Sequence, residues 1–416
     1  MPRIRRLTCL LLGLLGSLPC LIAASRPPDI LPIWRNPAED HVANYRIPQL
    51  LVTQSGAILA CVEARQKSGD GSPTEIVIKR SRDGGKTWSE AIGIERIKTG
   101  ENYVLPVLLE DRDTRRLFFF CAMRDAGLRD PTTRSYYRTS DDEGSTWSEQ
   151  IDVTPIIAAA DEKVQSDLSA GRASSEFNGD KPELFGRKLF FFGPGRPIQV
   201  SRTHPRFPGR LVVPVFLIKD RTATPRSARA YGDGVLVSDD HGKTWHMDGV
   251  APLGEFGSSE VSVAELDDGR LVLNARGAPE NRGDSAAAPR TVSFSADGGA
   301  SWTRPELAEG LPRYRETHCG LLRIQAPAGK GSWHLFSFPA GPERRNGTIL
   351  LSKDNHRTWP TRKLIVPGSF GYSNLDRLPD GTLVMIYETA SGKEVNLVRF
   401  TLDWLLDGHD TLQPVP

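Results

Sequence analysis

Apolar positions along this chain fall in short alternating runs, not at the three-to-four-residue spacing of an amphipathic helix. The stretches "QSGAILACVE", "AELDDGRLVLNA" and "DRLPDGTLVMIYE" each set two such runs around a Ser-Gly or Asp-Gly pair, the pattern of two strands joined by a tight turn. Helical periodicity is nearly absent elsewhere, so the pattern predicts an all-β protein.

One octapeptide punctuates these hairpins. "SRDGGKTW" at 81–88 returns as "SDDEGSTW" at 140–147, "SDDHGKTW" at 238–245, "SADGGASW" at 295–302 and "SKDNHRTW" at 352–359. Asp83, Gly84 and Gly85 suit a tight turn whose carboxylate accepts backbone N–H groups, while Trp88 pins that turn to its sheet. A Ca²⁺ loop would need more regularly spaced oxygens than the box supplies. The fifth copy has His356 where the others have glycine, and a distorted turn is expected there. The copies start 59, 98, 57 and 57 residues apart. A period near 57–60 residues means an array of small sheets, and the 98-residue interval is expected to hold a further unit without a box. Six four-stranded blades around an axis, a six-bladed β-propeller over residues 25–416, is the architecture this predicts.

Composition is that of a folded chain, 38% hydrophobic and 25% charged over 416 residues. Residues 1–24 stand apart. Arg3, Arg5 and Arg6 precede the apolar run "LTCLLLGLLGSL", and "LIAAS" offers small residues for cleavage near Ala24, the make-up of a signal peptide. The run is short for a membrane span, and Pro19 before Cys20 fits a lipid-anchoring site poorly. Export to the periplasm or the medium is therefore expected, with no membrane span in the mature chain. The formal charge is +2, and the leader removes three arginines and no acid, leaving −1. A nearly neutral protein has no whole-molecule electrostatic reason to bind nucleic acid. Only Cys61, Cys121 and Cys319 remain after the leader, so a packed core rather than a disulfide framework holds the fold.

The boxes resemble the Asp-boxes of sialidase-type propellers, and "NYRIPQL" at 44–50, near the start of the mature chain, resembles the opening signature of the exo-α-sialidases (neuraminidases). The likeness extends over essentially the whole mature chain. It implies roles for the arginine of the signature, Arg46, and for Arg65 with Asp70 five positions on in "EARQKSGD". It implies a further pair, Glu260 in "SSEVSVAEL" and Arg276 in "LVLNARG" sixteen residues later, with Ser259 where the family usually has Asn. The last pair is Arg344 in "ERRNGT" and Tyr372 in "FGYSNL", with the adjacent Arg345 competing for the arginine role. "FFGPGRPIQV" at 191–200 resembles a family segment, except that Arg196 is unexpected.

Sialic acid carries a carboxylate on its anomeric carbon, so a site must hold an anion beside the bond being broken. Arg46, Arg276 and Arg344 can do so bidentately and stay charged at any relevant pH. A carboxylate nucleophile would face that anion, whereas a neutral phenol can approach it. The resemblance thus makes Tyr372 the nucleophile and Glu260 its base. Asp70 becomes the acid that protonates the leaving oxygen and later activates water. Arg65 either supports Asp70 or touches a substrate hydroxyl.

Each residue also has a plainer reading: an arginine in an interblade ion pair, a packed tyrosine, an aspartate serving a turn. Their shared order and spacing over more than 300 residues favours the catalytic one. The expected enzyme releases terminal sialic acid from sialylated oligosaccharides, glycoproteins or glycolipids. It uses no cofactor and no metal, since the eight histidines show no ligand spacing. Two rivals stay open: the same machinery on a related keto-sugar acid, and a sialic-acid-binding propeller without turnover, which could dispense with Tyr372, Glu260 and Asp70.

Overall fold

The computed structural model describes residues 27–35, 42–97, 101–125, 133–220, 229–277, 289–313, 316–327, 329, 331–341 and 343–407. The leader at 1–24 lies outside the described residues. Six four-stranded antiparallel sheets follow one another along the chain. Blades 1 to 5 span residues 44–95, 101–152, 189–238, 259–307 and 320–369. Blade 6 takes three strands from 373–400 and its fourth from Asp29–Arg35, which pairs with Glu394–Phe400 in the register Asp29↔Arg399. One sheet thus joins the two ends of the described chain and closes the ring.

The blades are held face to face by apolar packing. Six hydrophobic clusters occupy the six seams between neighbouring blades. Phe118 and Phe120 of blade 2, for example, meet Trp245 of the third box edge-on at 5.6 and 5.3 Å. The strand Ile58–Arg65 is buried along its whole length, because a middle strand is covered by a neighbouring blade on both faces.

Each box caps the third strand of blades 1 to 5. Asp83 Oδ1 accepts the N–H groups of Lys86 and Thr87, both at 3.0 Å, and Oδ2 accepts the Thr87 hydroxyl at 2.7 Å. The Trp88 indole donates to the Gly85 carbonyl at 3.2 Å. Gly85 has φ +87°, and a Cβ there would lie 2.2 Å from Leu397. The expected distortion at the fifth box is not found. His356 takes the same left-handed conformation, φ +72°, and Asp354 accepts Thr358 N at 2.9 Å as in the other copies. Its ring has room because blade 4 offers Asn274, 2.9 Å from Nε2, and the Trp359 ring lies edge-on at 4.8 Å.

A second expectation is corrected as well. The 98-residue interval holds no hidden blade but an insertion between blades 2 and 3, the helix Thr154–Ser169 and two short 3₁₀ turns. Pro155 starts the helix, and Ile157 and Ala160 bury into the seam. Ile156, Val164 and Leu168 pack partly buried against the same seam, so the helical spacing stands in the sequence, overlooked among the strand signals. The blade without a box is the sixth, whose third strand runs instead into the helix Leu402–Leu406.

First strands line the axis and touch one another from blade to blade, except that blade 3 meets the first strand of blade 4 mainly through its second strand, Leu211–Ile218. In blade 3 that strand is split into Leu189–Phe192 and Ile198–Gln199 around "GPG". A Cβ on Gly193 or Gly195 would come within 2.4 Å of Val261 or Ser262, so these glycines let blade 3 close against blade 4.

Candidate active site

At one end of the axis, three first strands are broken by bulges. The register shifts between Arg46 and Gln49, between Val104 and Val107, and between Ser259 and Ser262. Ile47, Leu105 and Glu260 adopt φ of 54°, 56° and 49° there, a conformation costing a non-glycine residue about 1–2 kcal/mol. Such bulges re-aim side chains and free backbone amides. Two of the freed amides are met by buried carboxylates that also grip an arginine. Glu388 accepts Ile47 N and Arg46 Nε, both at 2.8 Å. Glu63 accepts Leu105 N at 2.8 Å and takes Arg65 through Nε at 2.8 Å and Nη2 at 2.5 Å.

Tyr372 stands at the centre. Its hydroxyl donates to Glu260 Oε1 at 2.5 Å and accepts from Arg276 Nη1 at 2.9 Å. Arg276 also pairs with Glu260 Oε2 at 2.5 Å and with Glu316 Oε1 at 2.6 Å. The guanidiniums of Arg46 and Arg344 lie 5.6 and 5.1 Å from the centre of the Tyr372 ring. Three cations therefore converge on one phenol. Burial, reinforced by the Glu260 charge, pushes the Tyr372 hydroxyl well above the ordinary phenol range. Burial alone would raise Glu260, but Arg276 beside it wins and holds the carboxyl below its usual value. The pair is thus a neutral phenol hydrogen-bonded to an ionised carboxylate, an arrangement in which the carboxylate can take the phenol's proton. His318, whose ring centre is 5.9 Å from that of Tyr372, is pushed down to about 4 by burial and by Arg290, and is neutral near pH 7.

All seven residues singled out from sequence, Arg46, Arg65, Asp70, Glu260, Arg276, Arg344 and Tyr372, line one cleft of about 450 Å³. Asp70 sits on its rim with a side chain 71% exposed, 3.0 Å from Arg65 Nη1, and Arg124 donates to its backbone carbonyl. Of the two roles open to Arg65, contact with Asp70 is the one the geometry displays. Arg344 donates to the Glu316 carbonyl at 2.9 Å, while Arg345 is exposed and does not line the cleft. Ser259 is buried beside Glu260, its hydroxyl 3.4 Å from the Arg276 carbonyl. Arg196 lies away from the cleft and pairs with Asp376 at 3.2 Å.

Four participants escaped the sequence reading: Glu63, Glu316, Glu388 and Arg124. Only Glu63 carried a local signal, because residues two apart in a strand share a face and Glu63 precedes Arg65 by two. Among the described residues, one group gathers metal-type donors, Asp111, Asp113 and His241, whose ligand atoms lie within 4.8 Å of one another. It is outside the cleft, and Gln199 already donates to Asp111 and Asp113 at 2.9 and 2.8 Å.

A model of the BNR repeat-like domain matches residues 56–385. A sialidase of Micromonospora viridifaciens is 32% identical over 386 residues, covering 87% of this chain and 52% of that protein. A sialidase of Bacteroides fragilis is 29% identical over 388 residues, covering 86% and 62%. The chain thus spans only 52–62% of the length of these relatives. Among solved structures, an intramolecular trans-sialidase from Ruminococcus gnavus in complex with oseltamivir carboxylate shares the fold, with a TM-score of 0.67 and 19% identity over 92% of this chain and 99% of that one. With the family model running from the first blade into the sixth, the chain belongs to the BNR repeat-like domain family, in the company of these sialidases.

Proposed function

We propose that this chain is an exo-α-sialidase that releases terminal sialic acid from sialylated glycans with net retention, through a covalent bond to Tyr372. The observation that carries the reading is the Tyr372 hydroxyl held between Glu260 and Arg276, with Arg46 and Arg344 on either side. The three guanidiniums receive the substrate carboxylate. They also lower the cost of bringing negative charge onto the phenol as it attacks.

In the first step the Tyr372 oxygen bonds to the anomeric carbon while Glu260 takes its proton. The glycosidic bond breaks, and the departing oxygen takes a proton from Asp70. In the second step water attacks the same carbon and gives a proton to the Asp70 carboxylate. The bond to Tyr372 breaks, and Glu260 returns the phenolic proton. Two inversions give net retention. Asp70 suits this double duty because it sits on the exposed rim, where leaving group and water arrive, while Tyr372 and Glu260 work in the buried floor. The substrates are sialylated oligosaccharides, glycoproteins or glycolipids. The chain is exported after loss of residues 1–24, which suits substrates outside the cell.

A fluorinated sialosyl fluoride, which forms the covalent intermediate quickly and releases it slowly, tests the reading. Mass spectrometry of the digested protein is expected to place one sialosyl adduct on Tyr372. An adduct on a carboxylate would overturn the nucleophile, and turnover with inverted product would overturn the two-step scheme.

A further inference from the structure

The opposite end of the axis holds a second cavity of about 440 Å³, nearly the size of the first. The first strands run from one to the other. Ser259 and Glu260 open the strand Ser259–Glu265 at the cleft, and Val263, Ala264 and Glu265 end it in the second cavity. Tyr372 precedes the strand Ser373–Arg377, and Asp376 and Arg377 finish it there. At about 3.3 Å per residue, Tyr372 and Asp376 are separated by about 13 Å.

Four arginines, Arg112, Arg196, Arg323 and Arg377, line this cavity against two carboxylates, Glu265 and Asp376. Both carboxylates are already occupied. Glu265 Oε2 accepts Ser201 N at 2.9 Å and the Ser201 hydroxyl at 2.6 Å, and pairs with Arg323 at 3.4 Å. Asp376 accepts Val52 N at 2.7 Å and Arg377 N at 2.9 Å, and pairs with Arg196 at 3.2 Å. Among the described residues the guanidiniums of Arg112 and Arg377 make no ion pair within 4.0 Å, and the Nε of Arg196 is buried without a partner. Burial, and next the neighbouring charge of Arg196, depress the Arg112 guanidinium against the pull of Asp376 and Glu110, so two guanidiniums are crowded together here. The Arg112 backbone is pinned at both polar atoms, its N–H to Gln199 at 2.9 Å and its carbonyl to Gln54 at 2.5 Å.

We infer that this second cavity binds a small polyanion, a molecule bearing two or more phosphate or carboxylate groups, with Arg112 and Arg377 as its principal contacts and Arg196 as the donor beneath. Guanidinium forks match both oxyanions. A single charge would leave one fork unpaired, and the volume admits more than one inorganic phosphate. The site does not depend on the reaction proposed for the cleft.

Pyrophosphate and citrate serve as probes, titrated calorimetrically at low ionic strength into three forms of the full chain. These are the unmodified protein, Arg112→Gln/Arg377→Gln, and Arg46→Gln/Arg344→Gln, which disarms the anion-binding cleft. Binding is expected to persist in the last and to weaken at least about tenfold in the second cavity's variant, which loses two charge-assisted contacts. Pyrophosphate binding tighter than citrate assigns the natural ligand to the phosphates, and the reverse to the carboxylates. Unchanged binding in Arg112→Gln/Arg377→Gln, binding lost only with Arg46 and Arg344, or no binding by the unmodified protein overturns the inference. Both exchanged arginines lack ion pairs within 4.0 Å, so an unchanged melting temperature and unchanged hydrolysis in the absence of probe are expected of that variant.

Discussion

The Asp-box turns and the cleft are built from the same polar residue types under opposite rules. Asp83 finds its donors within four residues, at Lys86 and Thr87. Glu388 grips an arginine 342 residues away, and Tyr372 reaches a glutamate 112 residues away. A turn that satisfies its own carboxylate can be copied wherever two strands meet, and five blades carry it. A site whose Tyr372 and Arg46 are met by carboxylates of other blades exists only once the ring has closed. The turns therefore belong to stability and the cleft to chemistry, and mutations should separate the two.

The widest separation is expected at Tyr372→Phe. Removing one oxygen should lower kcat/KM by at least about 10³-fold, since the proposed nucleophile is gone, while Glu260 and Arg276 keep each other and the melting temperature stays put. Near-normal retaining hydrolysis by the folded variant would remove Tyr372 from its role. Asp70→Ala comes next. On sialyl-lactose, whose leaving oxygen needs a proton, the bond-breaking step should slow by about 10²–10⁴-fold. Aryl sialosides, with better leaving groups, should be much less affected in that step. Pre-steady-state release of each leaving group makes the measurement, and equal losses with a lower melting temperature would make Asp70 a turn residue after all.

Arg344→Lys should raise KM by about 10–100-fold, because an ammonium replaces a fork on the substrate carboxylate. Arg345→Lys, outside the cleft, should change it by less than about twofold. The opposite ranking would move the role to Arg345.

Box substitutions should show the reverse profile, and the smallest kinetic effect. Bonds to the Thr146 hydroxyl, its backbone N–H and the Ser140 hydroxyl hold the Asp142 carboxyl down at about 2, below the value near 3.9 of an unfolded chain. A carboxyl depressed in the folded state adds stability that is full above the unfolded value and is lost as pH falls through the folded one. Asp142→Asn should therefore flatten the loss of thermal stability between about pH 4 and pH 2 and leave kcat/KM near neutral pH alone. A change in turnover with no change in acid stability would place this box with the chemistry instead.

The two failures of sequence reading come from the same source as its success. Strand and turn signals are local, so the period of the boxes yielded six blades, but the period could not say which blade lacks a box. An insertion whose helix buries Ile157, Ala160 and Asp161, with Ile156, Val164 and Leu168 packed beside them, filled the long interval instead. His356 looked wrong by the rules of an isolated turn. It fits because Asn274, from the next blade, meets its ring.

By itself the sequence determined what depends on near neighbours: strands, hairpins, the self-satisfied Asp-boxes, and, through resemblance, seven residues that all reach one cleft. Tertiary structure alone decided how those residues are held and charged. Glu388 and Glu316 are ordinary acids in the sequence, and become partners of Arg46 and Arg276 only when the chain closes around the axis, whereas Glu63 meets Arg65 along one strand. The physical reason is that pairing energies and desolvation depend on distance and burial, not on separation along the chain. The same closure crowds Arg112 beside Arg196 at the far end of the axis, a juxtaposition across 84 residues of sequence that no local pattern foretells.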